Sequence, residues 1–115
     1  MVRWMEYSLE RRDDAIIVQV GGRVDESSWE AFGAALEEAI DQARQGGVRD
    51  LVIDLGHLDY MSSRGLRALT VAKRQADEGE IVIRLASPNE VMREILAISR
   101  YDKLFMITET IELKR

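Results

Sequence analysis

The 115-residue sequence contains no cysteine, one proline and one histidine. Without cysteine, disulfide frameworks and thiolate metal sites are excluded, and a single imidazole offers little to a histidine-based metal site. No uninterrupted apolar run approaches the length of a membrane span, which is about 18 residues or more. The N-terminus also lacks the apolar region of a signal peptide. We therefore expect a cytoplasmic protein with no bound metal or cofactor and no membrane insertion.

An excess of positive charge is also missing, because 21 acidic and 16 basic residues give a formal net charge of −5. Non-specific binding to nucleic acid depends on neutralising many phosphates with lysine and arginine. We expect no direct nucleic-acid binding, so that any role in transcription would be indirect. The length suits one hydrophobic core, and we predict a single domain over residues 1–115.

The N-terminal third predicts a β-hairpin followed by a helix. Residues 5–10 and 15–20 are alternating or apolar runs around a charged turn, and Gly21 and Gly22 are expected to break the second strand. The helix is amphipathic, and its start is predicted at Asp25 or at Ser27. In the second case Ser27 and Glu30 form a capping box.

The remaining elements alternate between strands and helices. Aliphatic runs predict strands at residues 51–55, 81–85 and 104–107. The last helix has a strong start signal in Ser87, Pro88 and Glu90. Strands that alternate with helices after an initial hairpin predict an α/β fold with a mixed, mostly parallel sheet.

The stretch LVIDLGHLDYMSSRGLRAL, residues 51–69, carries the most distinctive pattern. A buried strand is expected to end in a loop containing Gly56, His57 and Asp59. The pair Ser62 and Ser63 then precedes apolar residues at helical spacing, so a serine should lie at or near a helix N-cap. From this local pattern alone, an ordinary capping role is the more frequent explanation for the two serines.

Two further interpretations of this stretch are weaker. Asp54 at the end of a strand suggests the phosphorylated aspartate of receiver domains, but the required acidic cluster after the first strand is replaced by Gly21, Gly22 and Arg23. We expect a structural hydrogen-bonding role for Asp54. A serine hydrolase using His57 lacks a Gly-x-Ser-x-Gly elbow, and no phosphate-binding loop is present, so we predict that the chain is not an enzyme.

The strand, the paired serines, Gly65, Leu66 and Leu69 together resemble the signature of STAS domains, especially of bacterial anti-sigma-factor antagonists. The resemblance extends over most of the chain, from about residue 18 to residue 107. It implies a single STAS-like domain with the helices packed on one face of the sheet.

The commonest form of the family motif is Asp-Ser-Ser-Gly-Leu, whose first serine is the phosphoacceptor of an anti-sigma-factor kinase. Aligned on Gly65 and Leu66, the resemblance assigns this role to Ser63. The chain departs from the commonest form at two positions, because Ser62 replaces the aspartate and Arg64 replaces the second serine. Variants of the Ser-Ser-x-Gly-Leu kind also occur in the family.

The resemblance implies partner switching. The unphosphorylated protein would bind an anti-sigma factor with serine kinase activity, which holds the ATP, and phosphorylation of Ser63 would release it; a serine phosphatase is the expected second partner. No cofactor would reside in this chain. An alternative is a structural STAS module, in a signalling scaffold or a transporter accessory complex, whose serine is never phosphorylated.

Residues around Ser63 are candidates for the partner interface. Steps of four, three and four residues along the predicted helix lead from Ser63 to Arg67, Thr70 and Arg74, with Arg64 at the rim. Such a basic stripe suits an acidic partner, although charged helix faces are often merely solvated. The other interface candidates are Ser62 and, in a loop at the same end of the sheet, Asp25.

Overall fold

The computed structural model of the chain describes residues 5–111. Five strands and three α-helices alternate along these residues, with one short 3-10 helix before the last strand. In chain order the elements are β1 (Glu6–Arg12), β2 (Ala15–Val24), α1 (Trp29–Gln45), β3 (Asp50–Met61), α2 (Ser63–Glu78), β4 (Val82–Ala86), α3 (Glu90–Ile98), the 3-10 helix Tyr101–Lys103 and β5 (Met106–Thr108).

The strands form one sheet in the order β1-β2-β3-β4-β5. The β1–β2 hairpin is antiparallel, and each later pair of neighbouring strands is parallel because a helical segment separates its members along the chain. The predicted fold, an α/β domain with a mixed, mostly parallel sheet and an N-terminal hairpin, is confirmed. Because all the parallel strands end at the same edge, the segments that follow β2 and β3 lie side by side.

The main core lies between the sheet and all three α-helices, which confirms that the helices pack on one face. Ile16 and Val18 of β2 belong to this core, whereas their neighbours Ala15 and Ile17 point to the opposite face. A small second cluster on that face includes Val52 and is covered by Ile111. Among the described residues, no helix is long and apolar enough to cross a membrane.

The central strand is longer than predicted. The proposed loop at Gly56, His57 and Asp59 was wrong, because β3 continues to Met61 alongside β2. Gly21 and Gly22 do not break β2 either; they pair with β3, and irregularities in register on either side of them absorb the mismatch.

The predicted helix starts need small corrections. Helix α1 begins at Trp29 with Ser28 at the N-cap, because the Ser27 N–H donates to Asp25 instead of forming a capping box with Glu30. Helix α3 begins at Glu90 after Asn89, whose Oδ1 accepts a hydrogen bond of 2.9 Å from the Met92 N–H.

The start signal at Ser87 and Pro88 was therefore two residues early, and Ser87 has a positive φ of 58° outside the helix. Strand β4 begins one residue later than predicted and ends one residue later. Strand β5 begins at Met106, since a 3-10 turn occupies Tyr101–Lys103. Residues 112–115 of the C-terminal tail lie outside the described residues.

Candidate functional site

The junction between β3 and α2 places the two serines in different environments. The Ser62 N–H donates a hydrogen bond of 2.8 Å to the Val24 carbonyl, which joins the end of β3 to the end of β2. Ser62 has an extended backbone, and its Oγ accepts from the Gly65 N–H at 3.3 Å. Ser62 is thus the N-cap of α2 and is only 9% exposed. The prediction of a serine at or near the helix N-cap is confirmed.

Ser63 is the first residue of α2, and it is exposed. Within residues 5–111 its hydroxyl makes no hydrogen bond to another side chain or to the backbone. The neighbouring cap fixes the backbone at Ser63 while leaving the hydroxyl open to solvent. The arrangement is that of a displayed hydroxyl, accessible to another protein.

Gly65 allows α2 to start this close to the sheet. A Cβ atom on Gly65 would lie 2.6 Å from Met61 Cγ and 2.7 Å from Val24 Cγ1, distances that real Cβ contacts essentially never reach. The glycine is therefore required for close approach of the first turn of α2 to the ends of β2 and β3. This packing sets where Ser63 emerges on the surface.

The loop between β2 and α1 lies beside the junction and is held by its own hydrogen bonds. Asp25 Oδ1 accepts from the Ser27 hydroxyl at 2.8 Å and from the Ser27 N–H at 3.0 Å. Ser28 Oγ accepts from the Asp25 N–H at 2.9 Å and donates to the Arg23 carbonyl at 2.8 Å. Hydrogen bonds from the Ser27 side chain and then its backbone hold the pKa of Asp25 below its usual value.

Arg64 connects α2 to this loop. Its Nε lies 3.5 Å from Glu26 Oε2, and its guanidinium lies over the Trp29 ring, 5.5 Å from the centroid. Both side chains of the ion pair remain largely exposed, so the pair itself adds little to stability. Its structural effect is to direct Arg64 towards α1. Glu26 and Trp29 are therefore residues of the site that sequence reasoning did not assign to it.

Arg67 and Arg74 are both exposed on α2, and neither forms an ion pair with another residue of the described range. Thr70, between them in the predicted stripe, is half-buried, and its hydroxyl lies 2.7 Å from the Tyr101 hydroxyl. Arg67 is about 6 Å along the helix axis from Ser63, and Arg74 is about 16 Å away, from a rise of about 1.5 Å per residue.

The predicted interface residues thus occupy four kinds of position. Asp25 and Arg64 lie in contacting segments beside Ser63, Arg67 follows Ser63 on the same helix, and Arg74 lies farther along it. Ser62 is adjacent to Ser63 but is buried at the N-cap position, which leaves little of its side chain for a partner to touch.

The serine-hydrolase and receiver-domain interpretations gain no supporting contact among the described residues. His57 lines a shallow hollow with Tyr7 and Gln19 on the hairpin side of β3, and Ser63 is not part of that hollow. Asp54 accepts from the Gln19 amide at 3.3 Å and from the Gly56 N–H at 2.9 Å, as expected for a structural role. Within residues 5–111, no cluster of three or more histidine, aspartate or glutamate residues is placed to hold a metal ion.

Sequence comparisons relate this chain to known proteins. The family model described as STAS domain matches residues 6–113. BtrV of Bordetella bronchiseptica, named as a candidate anti-sigma factor antagonist, is 31% identical over 110 residues, which are 94% of this chain and 90% of that protein.

Solved structures with the same fold include SpoIIAA in two states. The anti-sigma factor antagonist SpoIIAA in its unphosphorylated form superimposes with a TM-score of 0.71 at 19% identity, covering 89% of this chain and 87% of that one. The phosphorylated form of the Bacillus protein gives a TM-score of 0.64 at 21% identity, covering 89% and 90%. At these identities the superpositions show a common fold.

Proposed function

We propose a function for this chain on the premise that it belongs to the STAS domain family, whose model matches residues 6–113. The proposed function is that of an anti-sigma-factor antagonist in a partner-switching system. In its unphosphorylated form it binds an anti-sigma factor with serine kinase activity in the cytoplasm, and phosphorylation of Ser63 releases that partner. A serine phosphatase restores the binding form. Nucleotide is held by the kinase, and this chain is its substrate.

The observation that carries the proposal is the contrast between the two adjacent serines. Ser62 is buried as the helix cap, whereas Ser63 is exposed with a hydroxyl that no described residue engages. A kinase can reach only a hydroxyl that is accessible, so the geometry favours Ser63 as the acceptor. The relatives support the same role: BtrV is named as a candidate antagonist, and SpoIIAA has been solved with and without its phosphate.

The effect of one phosphate is large enough for a switch. Phosphoserine adds about −1.5 to −2 charges at neutral pH. At an interface, a single like-charge contact at about 4 Å costs about 4 kcal/mol at an effective dielectric of about 20. Every 1.4 kcal/mol changes affinity about tenfold, so even half of this cost weakens binding more than tenfold, and the full cost weakens it about a thousandfold.

The test compares the wild type with variants at the two serines. The cognate anti-sigma-factor kinase that this proposal requires is incubated with the chain and ATP, and phosphopeptide mass spectrometry locates the modification. We expect phosphate on Ser63 in the wild type and in the matched control Ser62→Ala, and none in Ser63→Ala. Modification confined to Ser62 or Thr70 would contradict the assignment.

Calorimetry with the same partner then measures the switch. Ser63→Ala should bind as tightly as the unphosphorylated wild type and remain bound in the presence of ATP, while the phosphorylated wild type should bind at least tenfold more weakly. Equal affinity of all forms would instead favour a structural STAS module in a constitutive assembly. Co-purification of scaffold or transporter subunits in place of a small kinase would point the same way.

A further inference from the structure

Arg67 is the cation that helix geometry places beside Ser63. Side chains at positions i and i+4 of a helix are neighbours, with Cβ atoms about 5 to 6 Å apart. An anion at the N-terminal position and a cation four residues later is the more favourable order of the two. Ser63 carries no charge, so this pair is inactive in the unmodified protein.

The other neighbours of Arg67 on α2 offer it no carboxylate. The positions three and four residues away in both directions are Arg64, Thr70, Val71 and Ser63 itself. Thr70 is occupied by its contacts with the Leu66 carbonyl and the Tyr101 hydroxyl. Arg67 is exposed and forms no ion pair with any of the described residues. A phosphate on Ser63 would be the first anion within its reach along this helix.

Arg64, although adjacent in sequence, is less suited to hold the phosphate. Residues at i and i+1 do not face each other on a helix. The guanidinium of Arg64 is also directed to Glu26 and to the Trp29 ring on the α1 side. Arg64 lines a small hollow with Arg67 and Trp29, so the two arginines are close to one another but have different partners.

We infer that phosphoserine 63 is held within the molecule by Arg67, through a charge-assisted pair between the phosphate oxygens and the guanidinium. Arg and phosphate form such pairs with two parallel N–H···O contacts. The inference rests on the proposed phosphorylation of Ser63. It gives phosphorylation a double effect on the surface: a negative group is added, and the nearest unpaired cation is withdrawn from any acidic partner.

The experiment uses the full chain with phosphoserine incorporated at position 63 during translation, so that no kinase is needed. Titration of the phosphate by 31P NMR reports its second protonation step. Pairing with Arg67 stabilises the dianion, so Arg67→Gln should raise the proton affinity of the phosphate about two- to fivefold and move the titration midpoint to higher pH. Arg67→Lys keeps the charge but loses the planar guanidinium that can make two parallel hydrogen bonds to the phosphate, so it should give an intermediate midpoint.

Two matched controls make the result specific. Arg74→Gln removes the same charge from an exposed position farther along the same helix, and Arg64→Gln removes the adjacent arginine; both should leave the midpoint within about 1.5-fold of the parent protein, since each lacks the i, i+4 relation to Ser63. Circular dichroism checks that each variant is folded.

A midpoint shift in Arg64→Gln with none in Arg67→Gln would overturn the inference in favour of Arg64. An identical midpoint in every variant would overturn it in favour of a solvated phosphate. Because the phosphate is built in, failure of a kinase to modify the natural serine would count against the proposed function and leave this measurement unaffected.

Discussion

Replacement of Gly65 with alanine sets two physical effects against each other. In a helix, alanine is more favourable than glycine by about 0.8 to 1 kcal/mol, so propensity alone predicts a more stable protein. The packing of this site predicts the reverse, because the new Cβ would lie 2.6 Å from Met61 Cγ and 2.7 Å from Val24 Cγ1.

The steric cost of the new Cβ should exceed the gain in helix propensity. Val24 is fully buried and β-branched, so its side chain has little freedom to turn away, and Met61 is 2% exposed at the end of β3. Overpacking a well-filled core costs about 1 to 3 kcal/mol. After subtracting the gain from propensity, we expect Gly65→Ala to lower the free energy of unfolding by up to about 2 kcal/mol.

Gly33 in α1 provides the matched control. A Cβ on Gly33 would meet only Ala68 Cβ, at an ordinary contact distance of 3.8 Å. Gly33→Ala should therefore show the propensity gain without the clash and stabilise the protein by about 0.5 to 1 kcal/mol. Urea unfolding followed by circular dichroism measures both variants, with unchanged slopes required for the comparison.

The sign of the stability change in Gly65→Ala shows whether close packing or helix propensity dominates at this position. A Gly65→Ala protein as stable as Gly33→Ala would refute the close-packing argument and would mean that the first turn of α2 has room to spare. Reduced phosphorylation or partner binding of Gly65→Ala under conditions where it is still folded would further show that this packing positions Ser63.

The remaining predictions concern the cap and the β2–α1 loop. Ser62→Ala should lower the free energy of unfolding by about 0.5 to 2 kcal/mol because the Gly65 N–H loses its cap, whereas Ser63→Ala, at an exposed position, should stay within about 0.5 kcal/mol of wild type; equal losses in urea unfolding would show that the two serines share the capping role. The pKa of Asp25 is lowered from 3.8, so its ionised form stabilises the fold above that pH and this contribution is lost as pH falls through the folded-state pKa. The difference in urea midpoint between wild type and Asp25→Asn should accordingly shrink as the solution is acidified, and a difference that grows would contradict the lowered pKa.

Sequence periodicity was a good guide to the elements because each helix and strand buries one regular face. The apolar spacing that begins at Leu66 continues through Leu69 into a helix packed on the sheet, as the pattern required. Start signals were less reliable. Helix α1 was predicted to start at Asp25 or Ser27, whereas Ser28 lies at its N-cap without a side-chain capping bond, so residue type alone could not locate the start.

The length of β3 could not be predicted from local pattern. Gly56 and His57 are residues typical of a loop, and they remain in the strand because β2 continues beside them through irregular pairing. Such pairing depends on residues more than 30 positions away in the chain. The same limit applies to the site: the Ser63 motif could be recognised from sequence, but the contact of Arg64 with Glu26 and Trp29 joins two segments that only the fold brings together.

Under the proposed function, the placement of the two serines separates folding from switching. The Ser62 cap and the close packing at Gly65 hold the backbone of the first turn, and both involve groups that a modification of Ser63 does not touch. An anion at a helix N-terminus is moreover compatible with the helix dipole, so a phosphate there should leave the domain intact. What changes is the charge displayed beside Arg64 and Arg67. A partner that reads this surface would therefore respond to phosphorylation through electrostatics, with no need for the sheet or its helices to move.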